Sequence, residues 1–191
     1  DMTADTEEKT RRREELEADL TELEAMVQEL LVYSRYETGR APLDPQEVPV
    51  RASLERLVSK LPPDAPPVSL EPAADAPAHA HADARAFNRA LRNLLANAAR
   101  HARGAVCVRW WREAGAVVVA VEDDGPGVPI EQRERLFQPF ARLDDARNRA
   151  SGGVGLGLAI VRRILEAHGG DVRIEDAALG GAAFVTRWPS P

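Results

Sequence analysis

The segment SGGVGLGLAI, residues 151–160, places glycines at 152, 153, 155 and 157 directly ahead of a helix-forming run. A helix start leaves its first backbone N–H groups unpaired and carries the positive end of the helix dipole, and glycine lets an anion reach that backbone without meeting a side chain. Phosphate suits such a segment. The spacing of Gly153, Gly155 and Gly157 is not the dinucleotide fingerprint, which needs G-x-G-x-x-G straight after a strand. Leu158 and Ala159 stand where a P-loop needs Lys and then Ser or Thr. Taken alone, the segment is equally a helix start packed closely on a strand.

Two other stretches are candidates for the rest of a nucleotide site, though taken alone the first is also an acidic turn after an edge strand and the second a solvent-facing helix side. VEDDGPGVP, residues 121–129, ends an apolar run with Asp123, Gly125 and Gly127. A carboxylate accepts hydrogen bonds without donating, so at the floor of a pocket it takes the exocyclic amino group of adenine and opposes the carbonyl of guanine. In FNRALRNLLANAARHA, residues 87–102, helical spacing puts Asn93, Asn97 and Arg100 on one face with His101 at its border. Phe87, Leu91, Leu94, Leu95 and Ala98 form the opposite stripe. The amide oxygens of Asn97 and Asn93 are hard ligands for a Mg²⁺ that bridges nucleotide phosphates, and Arg100 adds a cation for their charge. His101 suits phosphate, ribose or a bond to a neighbouring loop.

The elements that must hold these residues alternate along the chain. Helices are expected at about 51–61, 83–102 and 154–168. Strands are expected near 67–71, 78–82, 105–112, 116–123, 171–176 and 182–188, with a loop-rich stretch from 124 to 152. This predicts an α+β layer sandwich, one sheet covered on one face by helices. Ahead of it, residues 3–37 lack Pro and Gly and carry Leu16, Leu20, Leu23, Val27, Leu30 and Ser34 in alternating steps of four and three, a heptad seam on one long helix. Met26, Leu31 and Tyr33 widen that seam toward a four-helix bundle. The seam reads as a surface for partner helices, with packing on the helix's own domain as the other reading. Gly39 ends the helix, which divides the chain into a helix at 1–38, a linker at 39–44 and a domain at 45–191.

Composition excludes several functions. A net charge of −6 argues against a general nucleic-acid surface. A single cysteine, Cys107, excludes an internal disulfide and sits in an apolar run that reads as a buried strand. His79 and His81 have no further Cys or His at ligand spacing, which speaks against a metal centre there. The longest apolar run, around 114–121, falls far short of the roughly 20 residues of a spanning helix, and no signal-peptide pattern opens the chain.

The order Asn-bearing helix, Asp-Gly-Gly turn, glycine-rich helix start resembles the ATP-binding catalytic domain of bacterial two-component sensor histidine kinases. These belong to the wider family that holds gyrase, Hsp90 and MutL. NLLANAARH is similar to the family's N box, DDGPG to its G1 box, LFQPFARLD to its F box and GGVGLGLAI to its G2 box, the likeness running from about residue 45 to 188, and VEDDGPGVPIEQRERLFQPFARLD is especially similar to the EnvZ and RstB type. The resemblance implies a Bergerat-type α/β sandwich, ATP and Mg²⁺ as ligands, and a mobile lid over 128–152 anchored by the buried rings of Phe137 and Phe140. Arg142, Arg147 and Arg149 would then be within reach of the phosphates. It adds Phe140, Arg142, Leu156 and Leu158 to the ATP-binding residues named above, with Gly153, Gly155 and Gly157 closing the cradle.

Two departures bear on the activity. Hydrolysing relatives carry a Glu four residues before the metal-binding Asn, and this chain has Asn93 there, which has no basic lone pair with which to activate water. That favours a kinase over an ATP-hydrolysing switch. The long helix disfavours a serine kinase acting on an anti-sigma antagonist, and the intact glycines disfavour a non-catalytic dimerisation module. The resemblance also implies a phosphoacceptor histidine in an H-E/D-L-R-T-P motif, yet the four histidines, His79, His81, His101 and His168, all lie in the ATP-binding region. The heptad helix resembles the second helix of the dimerisation hairpin. The expectation is a catalytic part that binds ATP without autophosphorylating. The parent would be an inner-membrane homodimer with this part in the cytoplasm, passing phosphate to a response regulator.

Overall fold

The stripe of Phe87, Leu91, Leu94, Leu95 and Ala98 is fully buried in the computed structural model, which describes residues 2–143 and 155–190. That stripe belongs to α3 (Ala84–His101), laid across a five-stranded sheet beside α5 (Gly157–Ala167). The sheet contains β2 (Val68–Pro72), β4 (Val106–Glu113), β5 (Ala116–Asp123), β6 (Asp171–Asp176) and β7 (Ala182–Pro189), in the order β2-β4-β5-β7-β6. β2 runs parallel to β4 and the other pairs are antiparallel, so the sheet is mixed. β5 lies at its centre and is buried along its whole length, as an apolar run with a neighbour on each side should be.

The core fills the space between the inner sheet face and the helices. Trp188, Phe184, Val119 and Val121 from the sheet meet Phe87, Leu91 and Leu94 from α3 and Ile160, Ile164 and Leu165 from α5. The Trp188 and Phe87 rings sit 4.8 Å apart at a tilt. One polar pair is buried among them: the Trp188 indole N–H donates to Thr186 Oγ1 at 3.1 Å, and that hydroxyl donates to the Val119 carbonyl at 2.9 Å. Burial raises the pKa of the Cys107 thiol on the other sheet face, which keeps it protonated and unreactive.

Two expectations need correction here. The sheet does not collect every strand: β1 (Pro45–Pro49) and β3 (His79–Asp83) form a separate antiparallel ladder, with Val48 opposite Ala80. Asp83 then caps α3, its Oδ1 accepting from the Arg85 and Ala86 N–H groups at 2.9 Å each and its Oδ2 from Asp44 at 3.1 Å. α2 (Val50–Val58) follows β1 directly and packs on α3 through Leu54 and Leu57. The loop-rich stretch also holds a short helix, α4 (Ile130–Arg133), and a 3₁₀ turn at Arg135–Phe137.

The second correction concerns α1 (Met2–Glu37). Leu16, Leu20, Leu23, Val27, Leu30 and Leu31 remain between 48 and 63 % exposed, so the heptad seam is unpaired. Tyr33 is not part of that seam. It is buried, with the Arg163 guanidinium of α5 over its ring at 5.8 Å, while Arg163 donates to the Tyr33 hydroxyl and to Glu37, each at 3.4 Å. Met26 and Glu29 are half-buried along the same side. One helix thus carries two faces, one packed on its own domain and one open.

Candidate functional site

Asn93, Asn97, Arg100 and His101 reach a cavity of about 390 Å³, bounded by α3 on one side, the end of β5 below and the start of α5 at the far end. The size suits a small organic ligand. The faces divide as the helical spacing requires: the apolar stripe holds α3 on the sheet, and the amide face is left for the cavity. Asn93 Nδ2 donates to the Gly157 carbonyl at 3.1 Å, tying α3 to the first residue of α5 and leaving its amide oxygen as the remaining acceptor. The Asn97 amide makes no hydrogen bond to any described residue.

Asp123 closes β5 and is 2 % exposed. Its Oδ1 accepts from the Gly125 N–H at 2.9 Å and from the Ala182 N–H at 3.3 Å. Both bonds end on one oxygen, so Oδ2 is the acceptor the carboxylate offers to the cavity it lines. Gly125 does not line the cavity. A Cβ there would collide with the His101 carbonyl oxygen and Asp123 Oδ1, so this glycine permits the close approach of α3 to the β5 turn. Gly181 plays the same part from the other strand, where a Cβ would collide with the Asp123 main chain and carboxylate. Nothing local in the sequence singled it out, because it lies far along the chain from the residue it touches.

The next residue has a different task. Asp124 Oδ1 accepts from the Arg103 and Gly104 N–H groups at 2.7 and 3.1 Å, and these bonds, that of Gly104 foremost, hold its pKa below the usual carboxylate range. His101 is solvent-exposed overall yet crowded by surrounding protein. That crowding, then the charge of Arg100, pushes its pKa down against the pull of Asp123. The imidazole is therefore neutral near pH 7 and serves as a hydrogen-bonding group rather than a cation.

At the far end, Gly155, Gly157 and Leu158 line the cavity, and α5 opens at Gly157 with no side-chain cap, so its first N–H groups remain available. The helix begins later than residue 154 because Gly155 holds φ at +75°, with its virtual Cβ 3.0 Å from the Phe140 backbone. Leu156 is buried and belongs to the core rather than the cavity wall. Gly127 and Arg142 are at the wall, whereas Gly153, Arg147 and Arg149 lie outside the described residues.

The aromatic anchors of the lid differ from expectation. Phe137 is buried, with the Arg162 guanidinium 4.2 Å above its ring. Phe140 is 60 % exposed, has φ +63° and is absent from the cavity wall; its amide N–H donates to the Gly155 carbonyl at 2.9 Å. Its backbone rather than its ring meets the glycine segment. Residues not foreseen as lining include Val128, Leu136 and Phe184, which make the floor apolar beside Asp123, and Glu29 from α1.

A buried acceptor on an apolar floor fits an adenine ring, and unpaired helix N–H groups with amide oxygens and Arg100 fit metal-bound phosphates.

The chain matches the family described as histidine kinase-, DNA gyrase B- and HSP90-like ATPase over residues 82–191. It is 37 % identical over 175 residues to the sensor protein RstB of Escherichia coli strain K12, covering 91 % of this chain and 40 % of RstB. It is 44 % identical over 97 residues to the sensor histidine kinase CpxA of the same strain, covering 51 % of this chain and 21 % of CpxA. The chain thus spans well under half the length of these relatives. Full-length ShkA, solved in complex with AMPPNP, superposes with a TM-score of 0.76 at 28 % identity over 87 % of this chain and 35 % of that chain. With the Asn face of α3, the Asp123 floor and the glycine start of α5 gathered on one mixed sheet, the chain belongs to the histidine kinase-, DNA gyrase B- and HSP90-like ATPase family.

Proposed function

We propose that the cavity binds Mg²⁺-ATP and that the domain passes the γ-phosphate to a histidine on a helix paired with α1, for relay to an aspartate of a response regulator. Asp123 carries this reading: a buried carboxylate with one oxygen fixed by backbone N–H groups and the other at the cavity selects an amino group over a carbonyl. Val128, Leu136 and Phe184 would hold the base by burial. Asn97 and Asn93 would hold Mg²⁺ through their amide oxygens, and the ion would neutralise phosphate charge there. Arg100, Arg142 and the first N–H groups of α5 would orient the phosphates.

Asn93 favours transfer over hydrolysis. It stands where hydrolysing relatives place a Glu, its amide cannot take a proton from water, and its Nδ2 is engaged with Gly157. The γ-phosphate would then wait for a protein nucleophile. α1 holds no histidine, so the acceptor must come from another helix. In the whole protein this domain would sit in the cytoplasm beneath a membrane-anchored homodimer, and no helix among the described residues is long and apolar enough to cross a membrane.

The test is titration calorimetry of this chain with ADP and a non-hydrolysable ATP analogue, with and without Mg²⁺, and with GTP as control. Adenine-selective binding strengthened by Mg²⁺ is expected. Equal affinity for GTP, or no binding, would overturn the assignment of the cavity.

A further inference from the structure

Helix α1 brings a carboxylate to the nucleotide cavity. Tyr33 and Glu37 fasten the helix to Arg163 of α5, and one turn before Tyr33 the half-buried Glu29 lines the cavity whose wall also carries Asn93, Asn97 and Gly157. Glu29 interacts electrostatically with Arg89, one turn of α3 before Asn93, which sets it toward the end assigned above to phosphate. The Arg89 Nε is buried without a hydrogen-bond partner among the described residues, and Glu29 and Tyr36 support its charge against burial and the repulsion of Arg92.

We propose that Glu29 makes the cavity discriminate between nucleotide carrying a divalent cation and metal-free nucleotide. The inference rests on the nucleotide reading of the cavity. A fixed carboxylate repels bare phosphates in proportion to their charge; a divalent cation removes most of that repulsion and is itself attracted to the carboxylate oxygens. Asn93 and Asn97 are neutral and can reward the cation without penalising its absence. Glu29 supplies the penalty, and it does so from the helix that carries the open heptad seam, so metal selectivity depends on α1 being docked.

The experiment is calorimetry of ADP with excess Mg²⁺ and with EDTA, on the 191-residue chain and on Glu29→Gln, Tyr33→Ala and Glu24→Gln variants. Glu24 is exposed on α1, and its change removes the same charge away from the cavity. Glu29→Gln is expected to tighten metal-free binding about fivefold, while Mg²⁺-ADP affinity stays constant or falls, so that the Mg²⁺ enhancement shrinks by about that factor. Tyr33→Ala should shift the ratio the same way by loosening α1, and Glu24→Gln should leave it as in the unmodified chain. An unchanged ratio in Glu29→Gln, or an equal shift in Glu24→Gln, would overturn the proposal while leaving the nucleotide site intact. An unmodified chain that binds no ADP would overturn the nucleotide reading and the discrimination with it.

Discussion

Asp123 and Asp124 are chemically identical neighbours with separate work. Asp123 is buried and shares its Oδ1 between two strands, while Asp124 is at the surface and ties the end of α3 to β5. Asp123→Asn replaces an acceptor-only group by one that presents a donor as readily as an acceptor, at a site where an unmatched polar group costs more than a tenfold change in affinity. ADP binding should therefore weaken by about tenfold or more in Asp123→Asn and be retained in Asp124→Asn, as calorimetry on the two variants would establish; equal losses would remove Asp123 from the base site. The placement of Asp123 at the cavity was legible because an acidic residue at the end of an apolar run is out of place unless it meets something. Phe140 was misread for the opposite reason. Its residue type promised burial, but its left-handed backbone turns the chain at Gly155 and leaves the ring outside.

Among the elements, α3 was the most legible, because its two faces differ sharply in polarity and every residue of the apolar stripe is buried, with Ala86 and Ala90 buried beside it. The β1–β3 ladder was the least legible, since each strand is short and its partner lies a helix and a strand away in sequence. The β4–β5 hairpin falls between them. Its turn was readable from Gly115, yet the register of Glu113 against Ala116 requires positive φ at both central residues, and Ala114 is held at +45°. An L-residue with a Cβ is disfavoured there by about 1 kcal/mol, whereas Asn tolerates the region and Asn-Gly is the favoured pair for such a turn. Ala114→Asn should therefore raise unfolding stability by about 0.5–1 kcal/mol without changing nucleotide affinity, measured by urea denaturation. A destabilised variant would mean that the turn geometry is other than described.

On the scale of the whole molecule, α1 offers two apolar or mixed surfaces at once, and only one is satisfied within the chain. The exposed row from Leu16 to Leu31 is a heptad seam with no partner among the described residues, and such a surface drives association in water. Sedimentation should show concentration-dependent self-association that Leu23→Glu with Val27→Glu abolishes while ADP affinity survives; a monomer at all concentrations would mean that the seam needs another helix to become competent. The heptad spacing announced this face but concealed the docked one, since Tyr33 reads as an extension of the seam until α5 is folded beside it. The central strand pair has a wider consequence. β5 ends at Asp123 and β7 resumes at Ala182, bonded to that same carboxylate, so the two ends of everything between them are pinned at one point by the sheet. Closure of that excursion is borne by the ladder, and doubling a flexible loop costs only about 0.6 kcal/mol. The length of the chain between β5 and α5 is therefore nearly free to drift between relatives: if the cavity holds the nucleotide proposed above, natural variation can tune how long it stays without disturbing the register that fixes Asp123.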